Sequence, residues 1–349
     1  MLGSRTRREI LNQPTAWRTI LDQALPRYGP ALRELMGSVE EVLLVGSGSA
    51  YHVAELAAPT FIQWLRLPAR ALLSPDIFLD PDATLVTQRR YGLIAISRSG
   101  ETTEALRALE VARERGFPTA AITVKTRSTI TSQVQLPIVL EPLDEGSVAA
   151  TQSVSGMALF LVAAAGQEAA LVLTRLRRLP DLAERQMATW EQAASAMAGA
   201  IDAALKGRHL VFLGSGRLAA VAAEAQLKAI EMAGIPASAH ALLNYRHGPQ
   251  AMLDEDLLVL LTNGDSPEES DFIREMGERG GRLWVVTDQA TALHQRVATW
   301  VTEMGEDLSS IQEPIAFLPL LQLFAHHAAL AAGRDPDRPR HLDYSVRWH

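Results

Sequence analysis

Short apolar runs recur along the chain, each closed by a small polar turn and followed by a stretch with helical spacing. VEEVLLVGSG, YGLIAISRSG, RHLVFLGSG and DLLVLLTNG read as strands ended by glycine turns. In each half the order is strand, GSG turn, helix, strand, polar turn, helix and further strand, with ARALLS as a strand candidate inside the first half. Gly46 and Gly214 lie 168 residues apart, and Ser97 and Thr262 lie 165 apart. Offsets this close point to an internal duplication. Strands alternating with helices predict an α/β fold: two tandem doubly wound parallel-sheet subdomains, each covered on both faces. The expected boundaries are a helical arm at 1–30, a first subdomain at 31–170, a helical connector at 171–205, a second subdomain at 206–333 and a polar tail at 334–349. Polar turns then fall at the carboxyl ends of strands, where open α/β sheets bind ligands.

Composition narrows the classes. A chain of 349 residues suits two domains, and a formal charge of −7 with no basic block argues against nucleic acid as a partner. No apolar run approaches the roughly 20 residues that cross a bilayer, and MLGSRTRREILNQP lacks the apolar core of a signal peptide. The expected location is the cytoplasm, away from membranes. With no cysteine, a thiolate nucleophile, a disulfide and a cysteine-ligated metal are all excluded.

Candidate chemistry gathers at three places. SRSGETT follows a strand and opens a helix, so free amides and the positive helix end face the same spot as Ser97, Ser99, Thr102 and Thr103. Such donors hold phosphate without lysine. A serine N-cap with Glu101 and Glu104 in the first turn is the alternative, and it explains only one or two of the hydroxyls. In RLAAVAAEAQLKAIEMAG, Glu224, Lys228 and Glu231 stand at i, i+4 and i+7 on one face of a helix otherwise apolar apart from Gln226. That stripe should meet a cleft, where a carboxylate serves as a general base; a solvated ion pair is the alternative. YRHGP places His247 in a turn, as a catalytic candidate or a structural residue. His326 and His327 look structural, because adjacent residues cannot share one helix face. GSGSAY and GSGRLA invite a dinucleotide reading, but the acid needed about 20 residues on is missing from both copies.

Together the stretches EILNQP, GSGSAYHVA, ISRSGETTEAL, EGSVAATQS, AEAQLKAIEM, YRHGP and DPDRPRHLDYS resemble the sugar isomerase (SIS) domain family, over nearly the whole chain. The resemblance extends to the isomerase half of glucosamine-6-phosphate synthase and to amino-sugar-phosphate deaminases. It implies a flavodoxin-like winding in each half. Ser97, Arg98, Ser99 and Thr102 would hold a sugar phosphate, with Ser49 and Ala50 beside the sugar and Val148, Ala150 and Thr151 closing over it. Glu231 would move a proton between C1 and C2, Glu224 and Lys228 would be its polar partners, and His247 would assist ring opening from a second subunit, which implies a homodimer. No metal and no organic cofactor is implied.

Two departures limit what carries over. The glutaminase domain of the synthase has no counterpart here, and Tyr344 stands where the synthase has a Schiff-base lysine. A phenol forms no imine, though it can donate a hydrogen bond. Asp265, Glu268 and Glu269 in the second repeat's TNGDSPEES would repel a phosphate, so one phosphate site per chain is expected. The expected function is an isomerase or deaminase of amino-sugar metabolism that converts glucosamine 6-phosphate to fructose 6-phosphate and ammonia. A plain aldose–ketose isomerase and a non-catalytic sugar-phosphate regulator are the alternatives.

Overall fold

Two five-stranded sheets, each strand parallel to its neighbours, carry the fold. The computed structural model describes residues 2–205, 209–263, 266–305 and 308–348. The chain forms two compact units, one built from Asn12–Arg177 with Asp343–His349 and the other from Met1–Leu11 with Arg178–Leu342. The segment read as one helical arm is therefore divided at Leu11 and Asn12. The expected connector holds two helices, Ala170–Arg177 in the first-sheet unit and Leu179–Leu205 in the second-sheet unit. Pro180 falls in the first turn of the latter, where its missing N–H costs nothing.

In the first-sheet unit the strands are β1 (Glu41–Gly46), β2 (Ala69–Leu73), β3 (Tyr91–Ile96), β4 (Thr119–Thr123) and β5 (Leu136–Val139), in the order β2-β1-β3-β4-β5. Every residue of β1 and β3 is buried, which is why their sequences run apolar without alternation. The winding direction reverses between β1 and β3, whose ends lie side by side with Val45 opposite Ala95. This reversal opens the crevice where doubly wound sheets bind ligands. Behind the sheet, all 14 residues of the helix Gln152–Ala165 are buried. Of its two serine hydroxyls, Ser153 donates to Glu145, and Ser155 accepts from Trp17 Nε1 at 2.9 Å and donates to Gln13 at 2.5 Å.

The second-sheet unit repeats the pattern with β6 (His209–Gly214), β7 (Ala237–Ala241), β8 (Asp256–Thr262), β9 (Arg282–Thr287) and β10 (Trp300–Glu303), in the order β10-β9-β8-β6-β7. Read from the other edge, this is the same winding. Pro314–Ala331 is apolar and long enough to cross a bilayer by composition, but 83% of it is buried inside the fold. It is a core helix packed on Leu179–Leu205.

The GSG turns acquire a packing reason here. A Cβ on Gly46 would lie 2.4 Å from the Ala50 carbonyl carbon, and one on Gly214 would lie 2.5 Å from the Leu218 oxygen. In both copies the following helix crosses the strand end at backbone contact, which only glycine allows. No dinucleotide is required to explain either turn.

Gly46→Ala should therefore destabilise the protein by about 1–3 kcal/mol through overpacking against backbone. Gly199, exposed inside Leu179–Leu205 with open space around its Cβ position, should stabilise when changed to Ala, by about 0.5–1 kcal/mol. Thermal unfolding of the two variants checks this, and shifts of the same sign would contradict the packing.

Candidate active site

At the end of β3 the turn residues Ser97 and Ser99 are buried. Ser97 Oγ accepts from the Gly100 amide at 3.1 Å and donates to Thr102 Oγ1 at 3.2 Å, while Ser99 Oγ accepts from the Glu101 amide at 3.2 Å. Two hydroxyls thus brace the turn. Thr102 occupies the N-cap of the helix Thr103–Glu114, but its side chain caps no amide. Ordinary capping leaves part of the hydroxyl set unexplained. Glu101 turns away, accepting from the Thr129 amide and hydroxyl at 2.7 and 2.9 Å. Its charge is committed to the neighbouring loop. Ser49 opens the helix Ser49–Thr60 at the end of β1, on the other lip of the switch-point crevice, and Ala50 follows it.

Arg98 points elsewhere than a phosphate would require. Its guanidinium donates to Glu145 at 3.2 Å, to the carbonyls of Ser147 and Val148 at 3.0 and 2.7 Å, and to the Tyr344 carbonyl at 3.1 Å. Glu145, fully buried at its side chain, also accepts from the Thr151 amide and hydroxyl, each at 3.0 Å, and from Ser153. One ion pair therefore fixes the serine turn, the loop bearing Val148, Ala150 and Thr151, and the tail. Removing one partner of such a buried pair costs about 3–5 kcal/mol.

Tyr344 lies with its ring 4.1 Å from the Arg98 guanidinium carbon and 5.3 Å from the Lys125 ammonium. Burial pushes its phenol upward against the pull of both cations, so it is a neutral donor at neutral pH. Beyond it the tail covers the start of Thr103–Glu114: the Val346 carbonyl accepts from the Thr103 amide at 3.3 Å, and the Trp348 amide donates to Thr103 Oγ1 at 3.2 Å.

In the second-sheet unit the polar stripe is as expected on one face, with an added feature. The helix Arg217–Lys228 tightens no further but widens, ending in a π turn over Ala229–Ala233 that contains Glu231. Single π turns of this kind recur at functional sites. Lys228 is buried between Glu224 at 3.2 Å and Glu231 at 2.5 Å. Burial opposes its charge, yet the two carboxylates outweigh that and raise its pKa above the ordinary lysine value. Glu224 is wholly buried, whereas the Glu231 side chain keeps 18% exposure and borders an open cavity of about 400 Å³. The triad is a buried ammonium that holds one carboxylate at the surface.

His247 ends a 3₁₀ turn, Leu242–His247, and is exposed. The turn is anchored beneath it: Tyr245 donates to the buried Asp256 at 2.7 Å, and Arg246 pairs with Glu275 at 2.8 Å. His326 and His327 have structural partners, Gly3 oxygen at 3.0 Å and Glu191 at 3.6 Å. The turn of the second sheet equivalent to Ser97–Thr102 is occupied by acids. Glu269 accepts from Thr262 at 2.5 Å, and Glu268 accepts from Ser266, which lowers its pKa. Asp265 lies outside the described residues.

Sequence reasoning missed Glu145 as the partner of Arg98, Lys125 beside Tyr344, and the π turn under Glu231. It also missed the scarcity of amines. The chain has three lysines, Lys125, Lys206 and Lys228. An imine requires a neutral amine. Burial opposes the charge on Lys125, but its 2.6 Å bond to Asp144 holds its pKa above the ordinary value, and Lys228 is held likewise. Lys206 lies outside the described residues.

The sequence profile of the SIS domain family matches residues 36–180 and 205–332. Glutamine–fructose-6-phosphate aminotransferase (isomerizing) of Pseudomonas aeruginosa is 30% identical over 97% of this chain, which spans only 58% of that relative's length. Among solved structures, glucosamine-6-phosphate deaminase of Thermotoga maritima superposes with a TM-score of 0.78 at 25% identity, covering 98% of this chain and 99% of that one. Tagatose-6-phosphate ketose/aldose isomerase of Escherichia coli reaches 0.85 at 21% identity, over 96% and 95%, and shares the fold. With both sheets matched and the same winding in each, the chain belongs to the SIS domain family.

Proposed function

We propose that the protein is a phosphosugar isomerase of amino-sugar metabolism, and that its favoured reaction is the deamination of glucosamine 6-phosphate to fructose 6-phosphate and ammonia. The observation that carries this reading is the Glu231 carboxylate, braced at 2.5 Å by a buried ammonium and open on its other side to a cavity. The names of the Thermotoga maritima and Pseudomonas aeruginosa relatives support the substrate class.

In this scheme the hydroxyls of Ser97, Ser99 and Thr102 take the phosphate, and its binding orients the sugar from a point away from the reacting carbons. Ser49, Ala50, Val148, Ala150 and Thr151 border the sugar, and Arg98 positions the loop and tail around it. His247 assists ring opening. Glu231 removes the C2 proton of the open aldose form and returns a proton to C1, which leaves a C2 imine after the enolamine. Water then adds at C2, the C–N bond breaks, and ammonia leaves with a proton from solvent. Tyr344 donates a hydrogen bond and forms no covalent link. The acids of the second repeat favour a single phosphate site per chain. The protein is proposed to act in the cytoplasm.

Purified protein should release fructose 6-phosphate and ammonia in equal amounts from glucosamine 6-phosphate, and Glu231→Gln should lower turnover by roughly 10²–10⁴-fold, the usual worth of general base catalysis. Binding without product in the wild-type protein would replace this reading with that of a sensor.

The working form is proposed to be a homodimer in which each site uses the partner subunit's His247. Exposure of His247 beside exposed Leu243 and Met252 supports this. Mixing inactive Glu231→Gln and His247→Ala variants with subunit exchange should restore about a quarter of wild-type activity, because one site in each mixed two-fold dimer is then complete. No restoration would place both residues in one protomer's site.

A further inference from the structure

The cavity beside Glu231 is lined by more positive charge than the general-base role uses. Arg334, Arg338, Arg340 and His341 surround it, with Asp335 and Glu231 as the acids. Among the described residues none of the three arginine side chains has a hydrogen bond or ion pair to a carboxylate. In a chain with net charge −7, three guanidinium groups around one cavity are a local reversal of sign.

The loop that carries them is held in place. Asp335 accepts from the Gly3 amide at 3.0 Å and from the Asp337 amide at 3.1 Å. Asp337 accepts from the Arg5 amide at 3.1 Å, and from the Thr6 amide and hydroxyl at 2.7 Å each. Both acids of the loop are thus spent on pinning it to the N-terminal segment, and Glu231 shares the Lys228 ammonium with Glu224. Pro336 and Pro339 are buried, which stiffens the loop further. Arg334 lies flat against Gly234, where any Cβ would fall 1.5 Å from its Nη1, and so is fixed at the C-terminal end of the Glu231 helix turn. His341 takes a left-handed backbone, φ +60°, that a non-glycine residue adopts at a cost. An arginine fork held on a rigid frame is pre-organised for a planar or tetrahedral oxyanion.

We infer that this cavity is a second anion subsite, and that the substrate is a sugar 6-phosphate bearing a further oxyanion near C1 or C2, either a carboxylate carried on the nitrogen or a second phosphate. The inference rests on the reading of Glu231 as the base that acts at those carbons. Arg338 and Arg340, the two exposed guanidinium groups, make the specificity contacts, and Arg334 sets the depth of the site.

Calorimetric titration tests it with three ligands: fructose 6-phosphate, fructose 1,6-bisphosphate and N-carboxymethyl-glucosamine 6-phosphate. At least one doubly anionic ligand should bind about tenfold or more tightly than fructose 6-phosphate, and which one does so identifies the anion as phosphate or carboxylate. In the Arg338→Met/Arg340→Met protein that advantage should vanish while the fructose 6-phosphate affinity stays the same. Equal affinities for all three ligands in the wild-type protein would overturn the subsite and leave the phosphosugar reading intact. An arginine-dependent gain with no binding of fructose 6-phosphate would uphold the anion site and overturn that reading.

Discussion

A single buried ammonium governs the chemistry proposed for this chain. Lys228 sits between Glu224 and Glu231 with no route to water, and the three groups together carry one surplus negative charge. Replacing the ammonium with an apolar group would leave the buried Glu224 carboxylate without its cation, at a cost of several kcal/mol. The surplus charge can only be expressed where solvent reaches, and that is at Glu231. Glu231 lies in the π turn that ends this helix, and a matching π turn over Phe61–Leu65 ends the equivalent helix of the first-sheet unit, so the turn belongs to the repeated fold.

The first-sheet unit solves a similar problem with the opposite polarity. There a buried carboxylate, Glu145, holds a guanidinium, and Arg98 distributes its remaining donors over three carbonyls. The serine turn is left braced by its own hydroxyls, Ser97 and Ser99, at the end of β3 and without a free cation from Arg98. In the second-sheet unit the corresponding strand-end turn is lined by Glu268 and Glu269, and Arg217 is paired with Glu313 at 2.7 Å. Duplication thus kept the winding while the two turns diverged in charge.

Much of the fold was legible because its signals are local. Strands covered on both faces read as unbroken apolar runs, the GSG turns mark where helix meets strand, and the i, i+4, i+7 spacing alone puts Glu224, Lys228 and Glu231 together. What stayed hidden depends on distant partners or on weak backbone signals. Arg98 meets Glu145 across 47 residues and the Tyr344 carbonyl across 246, so nothing in SRSGETT shows that its arginine faces away from a phosphate. A π turn has no composition of its own. The division at Leu11 and Asn12 follows from Asp335 and Asp337 capturing the amides of Gly3, Arg5 and Thr6, which no periodicity reports.

The central claim is that Glu231 exchanges a proton at the sugar carbons. Incubation of fructose 6-phosphate with the protein in deuterium oxide, followed by proton NMR of C1, tests it without needing net turnover. The account predicts loss of one C1 proton signal with the wild-type protein and its retention with Glu231→Gln. Equal exchange by both proteins, or none by the wild-type protein while ligand is bound, would contradict it.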